Sequence, residues 1–306
     1  MPDLICFGEP MVEFNEQRDG SYLQGFGGDA SNCAIAASRQ GAATGFLTHV
    51  GDDRIGRTLF ELWQAEGVDA SLVKVDPAAS TGIYFVTHSE AGHEFSYYRA
   101  GSASSRVAAR DIPGDALQQA KILHVSGISQ GISSSASDAV FAAMDAVRAG
   151  GGRVSYDSNL RLKLWPLTRA RAIIHEAMSQ CDIALPGFDD AVQLTGLDQP
   201  DAIVDFYLTL GASIVALTLG EQGTLVATPD KRTRIDAWPV KAIDATGAGD
   251  TFDGAFLARL IAGDDPFEAA SYANAAAALS TQGYGAVAPI PAQQAVQDFM
   301  ASHQAV

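Results

Sequence analysis

The stretch Asp244-Ala-Thr-Gly-Ala-Gly-Asp-Thr-Phe-Asp253 sets acidic residues, three small flexible residues and a helix start within ten positions. Gly247, Ala248 and Gly249 let backbone N–H groups come close to an anion. Beyond Asp250, the residues Phe252, Phe256, Leu257, Leu260 and Ile261 recur with a helical period, and Gly263 follows as a C-cap. The first turn of a helix has N–H donors without intrahelical partners and a partial positive charge, so it suits a phosphate. Asp250 stands at the mouth of that anion site. A carboxylate there is badly placed to hold a phosphate, but well placed to take a proton from a hydroxyl that attacks one. These residues point to phosphoryl transfer. The structural alternative is a glycine turn with an Asp N-cap, common in any α/β protein.

Around that motif, 306 residues can bury a large core, as one big domain or one with a small companion. Hydrophobic residues make up 47% and charged residues 18%, the balance of a packed globular protein and not of a disordered chain. The formal charge of −16 speaks against nucleic acid or an anionic membrane as a partner. It leaves room for a small anionic ligand, because a site's potential is local. No apolar run reaches the length needed to cross a bilayer. The start, MPDLICFGEP, has neither a basic region nor a cleavable apolar stretch, so no signal peptide is expected. Cys6, Cys33 and Cys181 are scattered and read as reduced thiols, buried in elements of a cytoplasmic protein.

Short apolar runs alternate with helical segments. Leu4–Phe7, Gly45–Thr48, Ile122–Val125, Val154–Tyr156, Ile183–Leu185 and Ile214–Leu217 read as buried strands. Helical patterns cover about Ala30–Arg39, Arg57–Glu66, Ser135–Ala149, Arg169–Ser179 and Asp201–Leu210. This rhythm predicts a mostly parallel sheet covered on both faces. Two regions break it. Glu13–Gly25 is short and polar, and Ser80–Arg99 reads as a hairpin turning at Glu90-Ala-Gly92. Antiparallel strands there would form a small sheet over the C-terminal edge of the main one, where ligands bind in open α/β folds. No internal repeat or low-complexity segment is present, and Ala275–Ala278 fits a closely packed helix.

A second glycine stretch, Gly27-Gly-Asp-Ala-Ser-Asn32, opens a helix. Asp29 and Asn32 project polar groups near its first turn, although Ser and Asp there also serve as ordinary caps. Gly41-Ala-Ala-Thr-Gly-Phe-Leu-Thr-His-Val-Gly-Asp-Asp53 and Gly56 follow. Together with the Asp244–Asp253 motif, this block resembles the paired signatures of the ribokinase-like PfkB carbohydrate kinases, over Gly8 to about Pro289. The resemblance implies a three-layer α/β/α doubly wound sheet with a small β-sheet lid. It implies a single kinase domain over residues 1–306, with lid segments at about 9–28 and 78–103. Asp250 would be the base, and Gly247, Ala248 and Gly249 the anion hole, in a reaction driven by positioning and charge stabilisation. Thr218, Gly220, Gly223, Asn274 and Gly283 match the nucleotide side. For Asn274 the alternative is a helix residue bonded to nearby backbone. ATP and Mg²⁺ are implied, with room for a monovalent cation such as K⁺, and Asp244 and Thr246 would lie near the metal or the monovalent cation. Many relatives have Asn-x-x-Glu where this chain has Pro186-Gly-Phe-Asp-Asp190. Asp190 can replace the acid in an outer shell around the metal, but Gly187 cannot replace the amide.

A sugar acid needs a cation for its carboxylate, ideally a forked one. Tyr97-Tyr-Arg99 ends the lid hairpin, and Asp157-Ser-Asn-Leu-Arg161 follows a buried strand, so two arginines leave different elements at the ligand edge. Each alone reads as readily as a solvated or paired arginine. These stretches, His124-Val-Ser-Gly-Ile128 and Gly8-Glu-Pro-Met-Val-Glu-Phe14 resemble the family's kinases for 2-keto-3-deoxygluconate. By that match Gly28, Asn32, Tyr84, Tyr97, Arg99 and Arg161 would bind the substrate. Leu160 stands where relatives often have Tyr, and Thr218 where some have a basic residue. The alternatives are a fructokinase or another keto-sugar-acid kinase, and a non-catalytic sugar or nucleotide sensor. A homodimer through lid edges, or a higher homo-oligomer, is expected.

Overall fold

The computed structural model describes residues 1–89 and 92–303, and every apolar run read as a strand lies in one sheet. The strands are β1 (Leu4–Phe7), β2 (Met11–Glu16), β3 (Tyr22–Gly27), β4 (Thr44–Gly51), β5 (Asp69–Asp76), β6 (Ile83–Ser89) and β7 (Gly92–Tyr98). There follow β8 (Ile122–Ser126), β9 (Arg153–Asp157), β10 (Ile183–Leu185), β11 (Ile214–Thr218), β12 (Thr224–Ala227) and β13 (Arg232–Ile235). The main sheet runs β13-β12-β11-β10-β9-β8-β1-β4-β5. It is parallel from β11 to β5, and an antiparallel hairpin, β12–β13, closes one edge.

Alternation along β1 shows why the sheet needs helices on both sides. Leu4 and Cys6 enter one core with the helices Asp29–Arg39, Ala248–Ala262 and Pro266–Ser280. Ile5 and Phe7 enter the other, with the helices Ser134–Ala149, Leu167–Ser179 and Pro200–Leu210. Successive side chains of a strand point to opposite faces, so buried strands read as unbroken apolar runs. Phe252 and Phe256 stack at 5.7 Å and anchor the Ala248–Ala262 helix in the first core. Truncating either to Ala costs about 3–5 kcal/mol. Ala275 and Ala276 pack in the same core, on the Pro266–Ser280 helix. Cys6 and Cys33 lie in elements as expected, whereas Cys181 is buried in the connection before β10.

The two segments that break the rhythm form a second sheet, ordered β3-β2-β6-β7. β2 pairs antiparallel with β3 and parallel with β6, and β6 pairs antiparallel with β7. The turn expected around Glu90-Ala-Gly92 includes residues 90–91, which lie outside the described residues. Met11, Tyr84 and Val86 form a small apolar cluster of this sheet, with Phe95 packed against it. No helix among the described residues is long and apolar enough to cross a membrane.

Candidate active site

The helix expected after Asp250 starts two residues earlier than that acid. Gly247 is its N-cap in the left-handed region (φ 76), the helix runs Ala248–Ala262, and Gly263 (φ 103) caps its end. Asp250 therefore sits within the first turn. A Cβ on Gly247 would lie 2.9 Å from the Ala286 carbonyl oxygen, so only glycine fits there. A Cβ on Gly249 would meet nothing within 4 Å, because that position faces open cleft. The bare turn and the helix start leave N–H donors and a positive end aimed at one place.

That place is the floor of a cleft of about 1050 Å³ between the C-terminal edge of the main sheet and the lid sheet. Gly28, Asp29 and Asn32 reach it from the start of the Asp29–Arg39 helix, and Tyr84, Tyr97 and Arg99 from the lid side. Gly28 has φ 103 and a Cβ there would meet the Glu9 carbonyl oxygen at 2.3 Å. Asn32 Nδ2 donates to Asp250 Oδ2 at 2.7 Å. Burial and the neighbouring Asp29 carboxylate push the Asp250 carboxyl up to about 7, against the pull of the Asn32 N–H and the Arg161 guanidinium. Asp29 Oδ2 accepts from Ser126 Oγ and, at 3.1 Å, from Asn159 Nδ2. Asp29 Oδ1 and Asn32 Oδ1 are buried without a partner among the described residues.

The two arginines have different fates. Arg99 Nε donates to Glu9 Oε2 at 2.6 Å, and Glu9 is fully buried beneath it with Ser102 Oγ as a second donor. Arg99 lines the cleft, and its charge is answered by Glu9, the paired alternative weighed for it. Arg161 Nη1 donates to the Leu160 carbonyl at 2.9 Å and lies 3.9 Å from Asp190, with its side chain 53% exposed. Of the two it keeps the freer charge. Tyr84 donates to Glu13 Oε2 at 2.5 Å, and Tyr97 lies tilted against it with ring centroids 5.6 Å apart.

A model of the family described as pfkB family carbohydrate kinase matches residues 1–293. The chain belongs to the pfkB family. It is accordingly an ATP-dependent carbohydrate kinase. It is 34% identical over 311 residues to a 2-dehydro-3-deoxygluconokinase from Thermoproteus tenax, which covers 98% of this chain and 94% of that protein. It is 33% identical over 318 residues to the probable fructokinase-5 of Arabidopsis thaliana, over 98% of each. A solved putative ribokinase II from E. coli in complex with ATP and Mg²⁺ matches with a TM-score of 0.91 at 26% identity, over 99% of this chain and 100% of that one.

Of the residues expected on the nucleotide side, Thr218 alone lines the cleft with Asp250. Gly220 (φ 58) and Gly223 (φ 83) shape the turn between β11 and β12. Asn274 accepts from Thr224 Oγ1 at 2.7 Å and donates to the Ile235 and Asp236 carbonyls. Its amide thus ties the β12–β13 hairpin to a helix, the alternative weighed for it. A Cβ on Gly283 would press on Pro289, so that glycine serves a turn. Asp190 lines the cleft as well. Its Oδ2 accepts the Leu160 N–H at 2.8 Å and clamps the loop carrying Arg161. Asp244 accepts from Thr246 N and Oγ1 and from Gly285 N, which fixes the loop ahead of the motif.

Four of the pfkB chain's acids crowd the cleft floor: Asp29, Asp157, Asp250 and Asp253. Burial, then Asp29, raises the Asp157 carboxyl, and burial, then Asp157 and Asp250, raises Asp253. His124 Nε2 lies 4.0 Å from Asp253, but burial pushes its imidazole down to about 3, so it is neutral at pH 7. Sequence reasoning missed Asp157, Asp253 and Lys163 as cleft groups and Glu9 as the buried partner of Arg99. Lys163 could have been found from its place beside Arg161, whereas Glu9 has no signal beyond an acid among apolar residues. Among the described residues, no three His, Cys, Asp or Glu side chains are arranged to hold a metal ion.

Proposed function

We propose that this kinase transfers the γ-phosphoryl group of ATP to the terminal hydroxyl of 2-keto-3-deoxygluconate, with residues 1–306 acting as one kinase unit and segments 9–28 and 78–103 as its lid. Arg161 carries the reading. Its half-exposed guanidinium shares a cleft with Asp250 and is near enough to lower that carboxyl. Lys163 lines the same cleft. A substrate with a carboxylate at one end and a hydroxyl at the other fits that pair. The 34% identity to the Thermoproteus tenax kinase supports it.

In this reaction Asp250 takes the proton as the hydroxyl oxygen attacks the γ-phosphorus, and ADP leaves in line. A base of pKa about 7 is matched to neutral pH. Backbone N–H groups of the Gly247–Gly249 turn face the phosphoryl oxygens, where preorganised donors stabilise developing charge. The carboxylates Asp157 and Asp190, which line the cleft beside Asp250, are oxygen donors of the kind Mg²⁺ would accept alongside nucleotide phosphates and water. When bound, Mg²⁺ neutralises phosphate charge.

A fructokinase is the second reading. It is favoured by the Glu9–Arg99 pair, which leaves one freer guanidinium in place of two, and by the 33% identity to the Arabidopsis protein. Steady-state kinetics with ATP on 2-keto-3-deoxygluconate, fructose and ribose decides between them. The keto acid is expected to have the highest kcat/KM, and a large advantage for fructose or ribose would sink the assignment.

A further inference from the structure

A smaller cavity of about 250 Å³ lies away from the catalytic cleft, at the root of the lid. His49 of β4 and Lys74 of β5 are paired neighbours on its wall. Asp76, Arg106, Arg110 and Asp111 complete its polar lining. Three cations face two acids there, a local excess of positive charge on a chain of net charge −16. Both acids are already occupied. Asp76 pairs with Arg106 at 3.1 Å, and Asp111 Oδ2 accepts the Ala108 N–H at 3.0 Å. Lys74 Nζ donates one hydrogen to the Asp111 carbonyl at 2.9 Å, lies 4.0 Å from Asp111 Oδ1 in a long ion pair, and has further hydrogens to donate. Arg110 has no hydrogen bond or ion pair among the described residues. Arg110 lines the cavity, and its five N–H donors are uncommitted among the described residues.

We propose that this cavity is a second anion site, which takes inorganic phosphate or the phosphate group of a small monoester between Lys74, Arg106 and Arg110. A forked guanidinium and an ammonium are the donors that phosphate recognition uses. The volume falls below the roughly 300–1,000 Å³ of pockets for drug-sized ligands, so the occupant is phosphate with few carbons attached. The position gives the site a second property. Arg106 Nη1 also donates to the Ala78 carbonyl at 3.1 Å, so this side chain ties the chain segment entering β6 to the one leaving β7. An anion on Arg106 therefore touches both of these lid connections.

Calorimetric titration of the full-length enzyme with inorganic phosphate, at saturating ADP to fill the nucleotide side, tests the site. The wild type should bind phosphate, Arg110→Ala and Lys74→Ala should each weaken it at least about tenfold, the usual scale for a charge-assisted contact, and Arg161→Ala in the cleft should leave it unchanged. Both test positions are exposed, so the variants are expected to fold, which their melting temperatures check. Glycerol 3-phosphate, run in parallel, tells a free phosphate from a monoester as the better occupant. The proposal is overturned if the wild type takes up neither, if Arg110→Ala binds like wild type, if Arg161→Ala abolishes binding, or if acetate binds as well as phosphate.

Discussion

Asn32 holds Asp250 by a 2.7 Å hydrogen bond that spans 218 positions of sequence and joins the two glycine motifs into one site. The donor faces the carboxylate, so the bond favours the charged form, while burial and Asp29 favour the neutral one. The resulting carboxyl, near 7, is tuned by opposing neighbours and responds to each of them.

The first expectation concerns pH. Asp250 must be ionised to accept a proton, so kcat/KM should rise with pH and level off above about 7. Asn32→Ala removes a group that lowers this carboxyl, so the rise should move to higher pH. Profiles measured from pH 5.5 to 9 check this: the variant's deficit should be largest near neutral pH and shrink toward pH 9.

Asp250→Asn should nearly abolish turnover while leaving nucleotide and sugar binding. It should also make the protein more stable. A carboxyl raised from its ordinary 3.8 to about 7 binds its proton more tightly in the folded state. Stability is therefore lost as pH rises from about 4 to 7, and the whole loss is present above 7. The asparagine cannot ionise and escapes it. Melting temperatures of the two proteins should differ little at pH 4 and most at pH 8, and equal temperatures at pH 8 would count against the raised carboxyl.

Arg161 and Arg99 should separate binding from folding. Arg161→Ala removes a half-exposed charge and should raise KM for the sugar acid, at a cost on the order of 1.5–3 kcal/mol, with little change in melting temperature. Arg99→Ala leaves Glu9 buried and unpaired, which costs about 3–5 kcal/mol of stability. Urea unfolding beside substrate kinetics distinguishes the two. An Arg161→Ala enzyme with an unchanged KM for the acid would remove that residue from the site.

The glycines make a similar pair. Gly249→Ala adds a methyl group that meets no neighbour within 4 Å, so folding should be unaffected while kcat falls, because the methyl intrudes where the phosphoryl group is expected. Gly247→Ala adds both a left-handed strain and a contact at 2.9 Å with the Ala286 oxygen, so it should lower stability as well. Circular dichroism melts and single-turnover rates measure the two effects independently.

The main sheet was readable because strands such as Leu4–Phe7 and Ile122–Val125 are buried on both faces and carry little but apolar residues. β5 and β13 were not, since edge strands such as Asp69–Asp76 and Arg232–Ile235 are partly exposed and mix charge with apolar groups. In the site, Gly247 and Gly28 were visible because their backbone conformations demand glycine. The partner of Arg99 was not. Glu9 lies 90 positions away, and a buried ion pair leaves no local pattern in a sequence. Asn274 shows the same limit: both readings of its amide stay open in the sequence, because nothing near it reveals the carbonyls of Ile235 and Asp236 that it serves.

β3 ends at Gly27, the Asp29–Arg39 helix begins two residues later, and Gly28 alone separates them, wedged against the Glu9 carbonyl. One peptide hinge thus joins the lid to the turn that bears Asn32. A tilt of the small sheet is then expected to disturb the hydrogen bond on Asp250, because Asn32 N donates to the Gly28 carbonyl at 2.8 Å. A sugar that seats the lid badly is then penalised in its rate of reaction as well as in its affinity, so discrimination between sugars is expected to be read in kcat as much as in KM.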